Sequence, residues 1–230
     1  MLTCVEASRG VLDKLIGDAL MATFGVPACT GDKDDRAVET AIAMMRRLTA
    51  WNSERSILGM PVVRIGIGIG IGINTDMAVS GNIGSPERMD YTVIGDGVNL
   101  ATQLQQVTKL YRAPILISDR TARRLHRKFR LRPVDYVAAK GHDELILVHE
   151  VVDHYPELQF PNPDQVLEHY AAGVEFYRLR RFAAALASFE QALVHHPGDH
   201  LSRLYVDRCR MFLQGLPPDE VNGVWPRWAA

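Results

Sequence analysis

Tyr91-Thr-Val-Ile-Gly-Asp-Gly-Val-Asn-Leu-Ala-Thr-Gln103 is the stretch whose reading decides the fold. Its first four residues read as a strand that ends in Gly95-Asp96-Gly97, and a helix begins at once. Asn99 lies one turn into that helix, and Gln103 follows one turn later on the same face. Polar side chains four residues apart at a helix start suit an anionic, sugar-bearing ligand, because the first backbone N–H groups there are unpaired and the helix dipole is positive.

Working outward, residues 11–15 and 20–24 read as two short strands around a Gly17-Asp18 turn, which is a hairpin signal. Residues 1–9 finish a helix. A second helix runs over about 34–54, with Val38, Ile42, Met45 and Leu48 at helical spacing. Strands are predicted over 62–73 and 79–83, then a helix over 98–111 and a strand over 115–117. Ser118 caps a further helix that runs through His126, and strands over 134–138 and 145–152 close the unit. Mixed strands and helices with several hairpins predict an α+β sandwich of the ferredoxin-like kind over residues 1–152. Pro156, Pro161, Asn162 and Pro163 mark a linker over 153–163. Over 164–214, Gly173, Phe176, Ala185, Phe189, Ala192 and Pro197 fall at the spacing of a tetratricopeptide repeat, which predicts a helical pair. One such unit cannot bury its own face, so it must cap the first domain, pair with another chain or continue a longer array. The tail, 215–230, carries Trp225 and Trp228.

The bulk numbers exclude several classes. The chain has 230 residues, 47% of them apolar, and a net charge of -1. That suffices for one domain and a small appendage, and gives no global drive towards nucleic acid or anionic membrane. Cys4, Cys29 and Cys209 are odd in number and scattered, which suggests a reducing, cytoplasmic setting. No apolar run approaches membrane-spanning length, and the start, Met1 to Glu6, is not a signal peptide. Arg120, Arg123, Arg124, Arg127, Lys128, Arg130 and Arg132 form a basic run. With only Phe129 interleaved, it reads as a solvated helix face rather than a nucleic-acid patch.

The opening stretch, taken with Gly10-Val-Leu-Asp-Lys-Leu-Ile-Gly-Asp-Ala-Leu-Met-Ala-Thr-Phe-Gly25, resembles the catalytic domain of class III nucleotidyl cyclases. The likeness runs from about Gly10 to about Val152. It implies an adenylate cyclase that converts ATP to cyclic AMP and pyrophosphate, with Mg²⁺ or Mn²⁺ on two carboxylates. Asp18 matches one metal carboxylate; its bland alternative is an ordinary turn aspartate. The family's other metal aspartate sits on a first strand that would precede residue 1. Asp13 matches no metal position and reads as a solvated strand residue. Lys14 matches the purine-reading position, where lysine favours ATP over GTP because it donates to N1 of adenine. Thr92 matches the second base-reading position, and without the motif it would be a β-branched strand residue. Asn99 matches the asparagine that orients the ribose, against a helix-start residue bonding its own backbone. Lys140 matches a lysine that reaches the triphosphate, against a solvated turn charge.

Two departures from the family pattern stand out. Gln103 occupies the place of an arginine that faces the α-phosphate in the transition state, which predicts impaired activity. The run Arg64-Ile-Gly-Ile-Gly-Ile-Gly-Ile-Gly-Ile-Asn-Thr75 holds two added Gly-Ile dipeptides. They lengthen a strand by roughly 13 Å while keeping its isoleucines on one face. The resemblance also implies a homodimer, with Asp18 of one protomer facing Lys14, Thr92 and Asn99 of the other. A regulatory protein would meet the helical repeat. The alternative is a degenerate, non-catalytic module that binds nucleotide or dimerises.

Overall fold

The structure, a computed structural model, describes residues 1–28, 30–62, 69–85, 88–138 and 145–215. The chain runs α1 (Leu2–Ala7), β1 (Val11–Ile16), β2 (Ala19–Thr23), α2 (Lys33–Ile57), β3 (Ile71–Ile73), β4 (Val79–Ser85) and β5 (Arg88–Ile94). It continues through α3 (Asp96–Tyr111), β6 (Ile115–Ser118), α4 (Asp119–Ala122), β7 (Leu131–Ala138) and β8 (Leu145–Val151). Three helices follow: α5 (Pro163–Arg178), α6 (Phe182–His195) and α7 (His200–Leu213). The result is the mixed α+β architecture expected, with a third C-terminal helix beyond the predicted pair.

A four-stranded sheet in the order β3-β6-β8-β7 forms the centre. β3 and β6 are parallel, and the other two pairings are antiparallel. β1 pairs with β2, and β4 with β5, as separate antiparallel hairpins. Alternation along β6 sorts the two faces of the sheet. Ile115 and Ile117 point to α2, where they meet Val38, Ala41, Ile42 and Met45. Leu116 points the other way, to Leu100, Leu104, Val107 and Tyr111 of α3.

The described part of the Gly-Ile run has a precise division of labour. Ile69, Ile71 and Ile73 pack on the α2 side, while Gly70 and Gly72 lie directly beneath α3. A Cβ on Gly72 would stand 2.2 Å from the Ala101 carbonyl oxygen, and one on Gly70 would stand 1.9 Å from Thr108 Oγ1. Neither approach tolerates a side chain, so the glycines set how closely α3 lies on the sheet. Asn74 adds a hydrogen bond from Nδ2 to the Gly97 carbonyl at the start of α3 (3.0 Å). Residues 63–68, which hold the first part of the run and the predicted extension, lie outside the described residues.

The three C-terminal helices share one apolar cluster with α3, β7 and β8. Tyr170, Phe189 and Tyr205 join Leu104, Tyr111, Val134 and Val148 there. Tyr170 donates to the Pro133 carbonyl (2.9 Å) and Tyr205 to the Val134 carbonyl (2.8 Å). These bonds fall where β7 bulges between Pro133 and Asp135, a place where carbonyls leave the ladder and need other donors. Between β8 and α5, His154 and Phe160 are buried.

The basic run corrects the sequence reading. The predicted helix through His126 ends at Ala122, so the arginines share no helical face. They are paired one by one with carboxylates: Arg120 with Asp76, Arg123 with Asp119, Arg124 with Asp34, Arg127 with Glu39, and Arg130 with Asp153 and Asp164. Arg132 is buried on β7 between Glu150 (2.6 Å) and Asp199 (2.8 Å). This local neutralisation removes the field a polyanion would need.

Candidate active site

β1 and β5 carry the candidate base-reading residues, and a carboxylate between them joins the two. The register of β1 against β2 slips between Leu12 and Lys14, so Asp13 is the extra residue of a bulge. A bulge re-aims its side chain, and here the Asp13 side chain is 3% exposed. Its Oδ2 accepts from Thr92 Oγ1 (3.0 Å), and its Oδ1 accepts from the Val93 N–H (3.2 Å). Lys14 Nζ lies 3.4 Å from the same Oδ2, with its side chain 44% exposed. The sequence reading of Asp13 as a solvated strand residue is therefore wrong. Strict alternation places it on an outer face, and only the bulge turns it inward.

Asp18 sits exposed at the β1–β2 turn, where Gly17 adopts φ +62°. Among the described residues no group of three or more His, Cys, Asp or Glu could hold a metal ion. A lone exposed carboxylate is not a divalent-cation cage, which needs several oxygen ligands. The described residues of one protomer thus do not fit an Mg²⁺ or Mn²⁺ held by protein ligands alone.

Asn99 is exposed on the first turn of α3. Gln103, one turn on, donates from Nε2 to the Ala138 carbonyl at the end of β7 (2.6 Å). Its amide thus bridges helix and sheet within the protomer. Lys140 lies outside the described residues.

A cleft of about 590 Å³ is lined by residues that include Asp76, Asp96, Leu100, Arg120 and Leu147. It meets α3 at Asp96 and Leu100, and its walls include none of Lys14, Asp18, Thr92 or Asn99. Within one protomer Lys14, Asp18 and Asn99 are exposed, while Thr92 is buried beside Asp13. Around them, Leu15 and Ile16 of β1 and Val79, Met89, Tyr91 and Ile94 of the β4–β5 hairpin are exposed apolar side chains.

Sequence reasoning missed two features. Asp13 carries no signal in a periodicity plot. Tyr111 closes the far end of α3 by donating to Asp135 (2.8 Å), which also pairs with Arg208 of α7 (2.7 Å). Burial and the neighbouring Asp135 charge raise the Tyr111 pKa far above the ordinary phenol range, so it stays a donor. The carrier of Asn99 and Gln103 is thereby tied to the C-terminal helices.

Known proteins share this fold. The family model for the adenylate and guanylate cyclase catalytic domain matches residues 8–151. The terminal-differentiation specific adenylate cyclase of Dictyostelium discoideum is 33% identical over 224 residues, 96% of this chain and 10% of that protein. A match that long takes in the helices after residue 163 as well. The adenylate cyclase of Anabaena cylindrica is 39% identical over 154 residues, 64% of this chain and 29% of its own. The chain thus spans between 10% and 29% of the length of these two relatives. Among solved structures, the adenylyl cyclase CyaB from P. aeruginosa superposes with a TM-score of 0.56 at 30% identity, covering 66% of this chain and 76% of that one. The guanylyl cyclase Cya2 gives a TM-score of 0.56 at 29% identity, covering 65% and 73%. The chain belongs to the adenylate and guanylate cyclase catalytic domain family.

Proposed function

We propose that this chain is an adenylate cyclase domain that converts ATP to cyclic AMP and pyrophosphate as a homodimer, at a reduced rate. The observation that carries the reading is the junction of Lys14 and Thr92 on one buried carboxylate, in a chain whose curated relatives include adenylate cyclases. The ribose 3′ hydroxyl gives up its proton to water as its oxygen bonds to the α-phosphorus, the bond from that phosphorus to the bridging oxygen breaks, and pyrophosphate leaves. Lys14 and Thr92 hold the base, Asn99 orients the ribose, and Lys140 reaches the triphosphate. Asp18 of the opposite protomer would supply one ligand to a divalent ion whose other ligands come from the nucleotide phosphates. The exposed apolar side chains of β1 and the β4–β5 hairpin support dimerisation, since such a patch on a monomer is a contact surface.

The reduced rate follows from Gln103. An amide carries no charge to meet the transition-state phosphate, and loss of such an arginine can cost about 10³-fold. The same observation favours a second reading, a degenerate module that binds nucleotide or dimerises without chemistry. We further propose that α5–α7 form a repeat-like regulatory unit for another protein. Support comes from the tight α5–α6 crossing, where Gly173 lies under the Phe189 ring and a Cβ would stand 2.7 Å from it.

Incubation of the full chain with ATP and Mn²⁺, followed by chromatography of the nucleotides, separates these readings. Cyclic AMP supports the enzyme. ATP binding without product supports the silent module. Absence of both product and binding rejects the enzyme and the nucleotide-binding module alike.

A further inference from the structure

We propose that Asp13 is a positioning residue that sets base selectivity, by fixing which hydrogen-bonding role Thr92 and Lys14 present to the nucleotide. The inference rests on the reading of Lys14 and Thr92 as base contacts, and adds a third residue and a cause.

The argument is one of hydrogen-bond polarity. A threonine hydroxyl has one proton and two lone pairs. An aspartate carboxylate only accepts. At 3.0 Å from Asp13 Oδ2, Thr92 Oγ1 commits its single proton inward. Thr92 is 6% exposed, so water competes little for that proton. Towards a ligand the hydroxyl then has lone pairs alone, and it can accept but not donate. The second carboxylate oxygen is held by the Val93 N–H, which stops the group from rotating away. Lys14 is the complement. Its ammonium has three donors and no acceptor, and its place 3.4 Å from Asp13 Oδ2 tethers a flexible, half-exposed side chain beside Thr92.

The pair therefore offers one donor and one acceptor side by side. Adenine presents N1 as an acceptor and the N6 amine as a donor, so both contacts match. Guanine presents N1–H as a donor and O6 as an acceptor, so both clash in polarity. Selectivity comes from two mismatched contacts, and a site that leaves its polar groups unpaired rejects the wrong ligand strongly. The carboxylate need not touch the base. It acts through its two neighbours, and the β1 bulge brings it there.

Asp13→Asn tests this at constant size. The amide oxygen can still accept from Val93, but its nitrogen now donates to Thr92. The hydroxyl proton is released towards the ligand, and Lys14 loses its counter-charge. Binding of ATP and of GTP to the full chain, each with Mn²⁺, is measured by calorimetry for wild type, Asp13→Asn, Asp13→Glu and Thr92→Val. We expect wild type to prefer ATP and Asp13→Asn to lose about tenfold or more of that preference. Asp13→Glu, still acceptor-only, should keep it. In the Thr92→Val background Asp13→Asn should change the ratio by less than in wild type, because the two act together. Equal weakening of both nucleotides by Asp13→Asn would mark a merely structural residue and overturn the proposal. If Asp13→Asn does not fold, a folded Thr92→Val that retains the full ATP preference overturns it instead. A wild type that binds neither nucleotide, or shows no preference, defeats the base-contact reading and this inference together. A wild-type preference that survives Asp13→Asn defeats this inference alone.

Discussion

Gln103 on α3 and Ala138 at the end of β7 are joined by a 2.6 Å hydrogen bond from the amide to the carbonyl. The bond turns a side chain one helical turn after Asn99 into a strut between helix and sheet. Gln103→Arg should raise kcat for cyclic AMP formation by about 10- to 10³-fold with little change in KM, because the gain appears only as charge develops on the phosphate. Steady-state kinetics with ATP reads both constants. A lower kcat would mean that the strut matters more than the charge.

Arg132 holds a buried cluster. It meets Glu150 and Asp199 and lies over the rings of Phe160 and Tyr170, and Tyr155 donates to Glu150 (2.9 Å). Asp199 also caps α7 by accepting from the Ser202 N–H. Arg132→Met leaves two carboxylates buried without their cation, and should cost about 3–5 kcal/mol of unfolding free energy. Urea denaturation followed by circular dichroism measures it. A loss under about 1 kcal/mol would show that the pair merely breaks even against its desolvation.

Stability should also fall with acid through His154. Burial lowers its pKa to about 4, from an ordinary value of 6.5. The unfolded chain binds this proton first, so the stabilising effect is complete above about pH 6.5 and lost as pH drops towards 4. The full effect is roughly 3 kcal/mol. His149, His196 and His200 shift in the same direction, so they add to the slope. His154→Asn keeps a donor near Nδ1 for the Val151 carbonyl, which His154 meets at 2.8 Å. That variant should flatten the dependence of Tm on pH between 4 and 6.5 (~2.5 pH units, from the two pKa values). A slope identical to wild type would remove His154 from this account.

Removal of the C-terminal helices, by ending the chain at residue 162, would uncover Val134, Val137 and Tyr111 and take away the donors Tyr170 and Tyr205. The shortened chain should bind a hydrophobic dye and melt without a sharp transition. A cooperative melt at the wild-type temperature would show that the helices are independent of the sheet.

Most elements were legible in the sequence because local periodicity specifies them. Val38, Ile42 and Met45 at helical spacing, and the alternating Ile115 to Ile117, lie where their pattern puts them. Positions set by non-local contacts were not legible. Arg132 reads as one more charge in a basic run, since its partner Asp199 is 67 residues away. Asp13 reads as an outward strand residue because a bulge has no signature in alternation. The glycines of the Gly-Ile run read only as part of a lengthened strand. Their use appears only once α3 lies on Gly70 and Gly72. Within the candidate site, the motif proposes Lys14, Thr92, Asn99 and Asp18, but it could not tell that a carboxylate joins the first two.

The most direct test of a shared site between two copies is complementation. Asp18→Ala and Lys14→Ala are purified as separate full chains and assayed for cyclic AMP alone and after mixing. Each alone should be silent, because both sites of each homodimer lack one part. In an equal mixture, random exchange gives hybrid dimers with one intact site, and activity should return to about a quarter of the wild-type value. A mixture no more active than its two components would contradict a site built from opposite protomers.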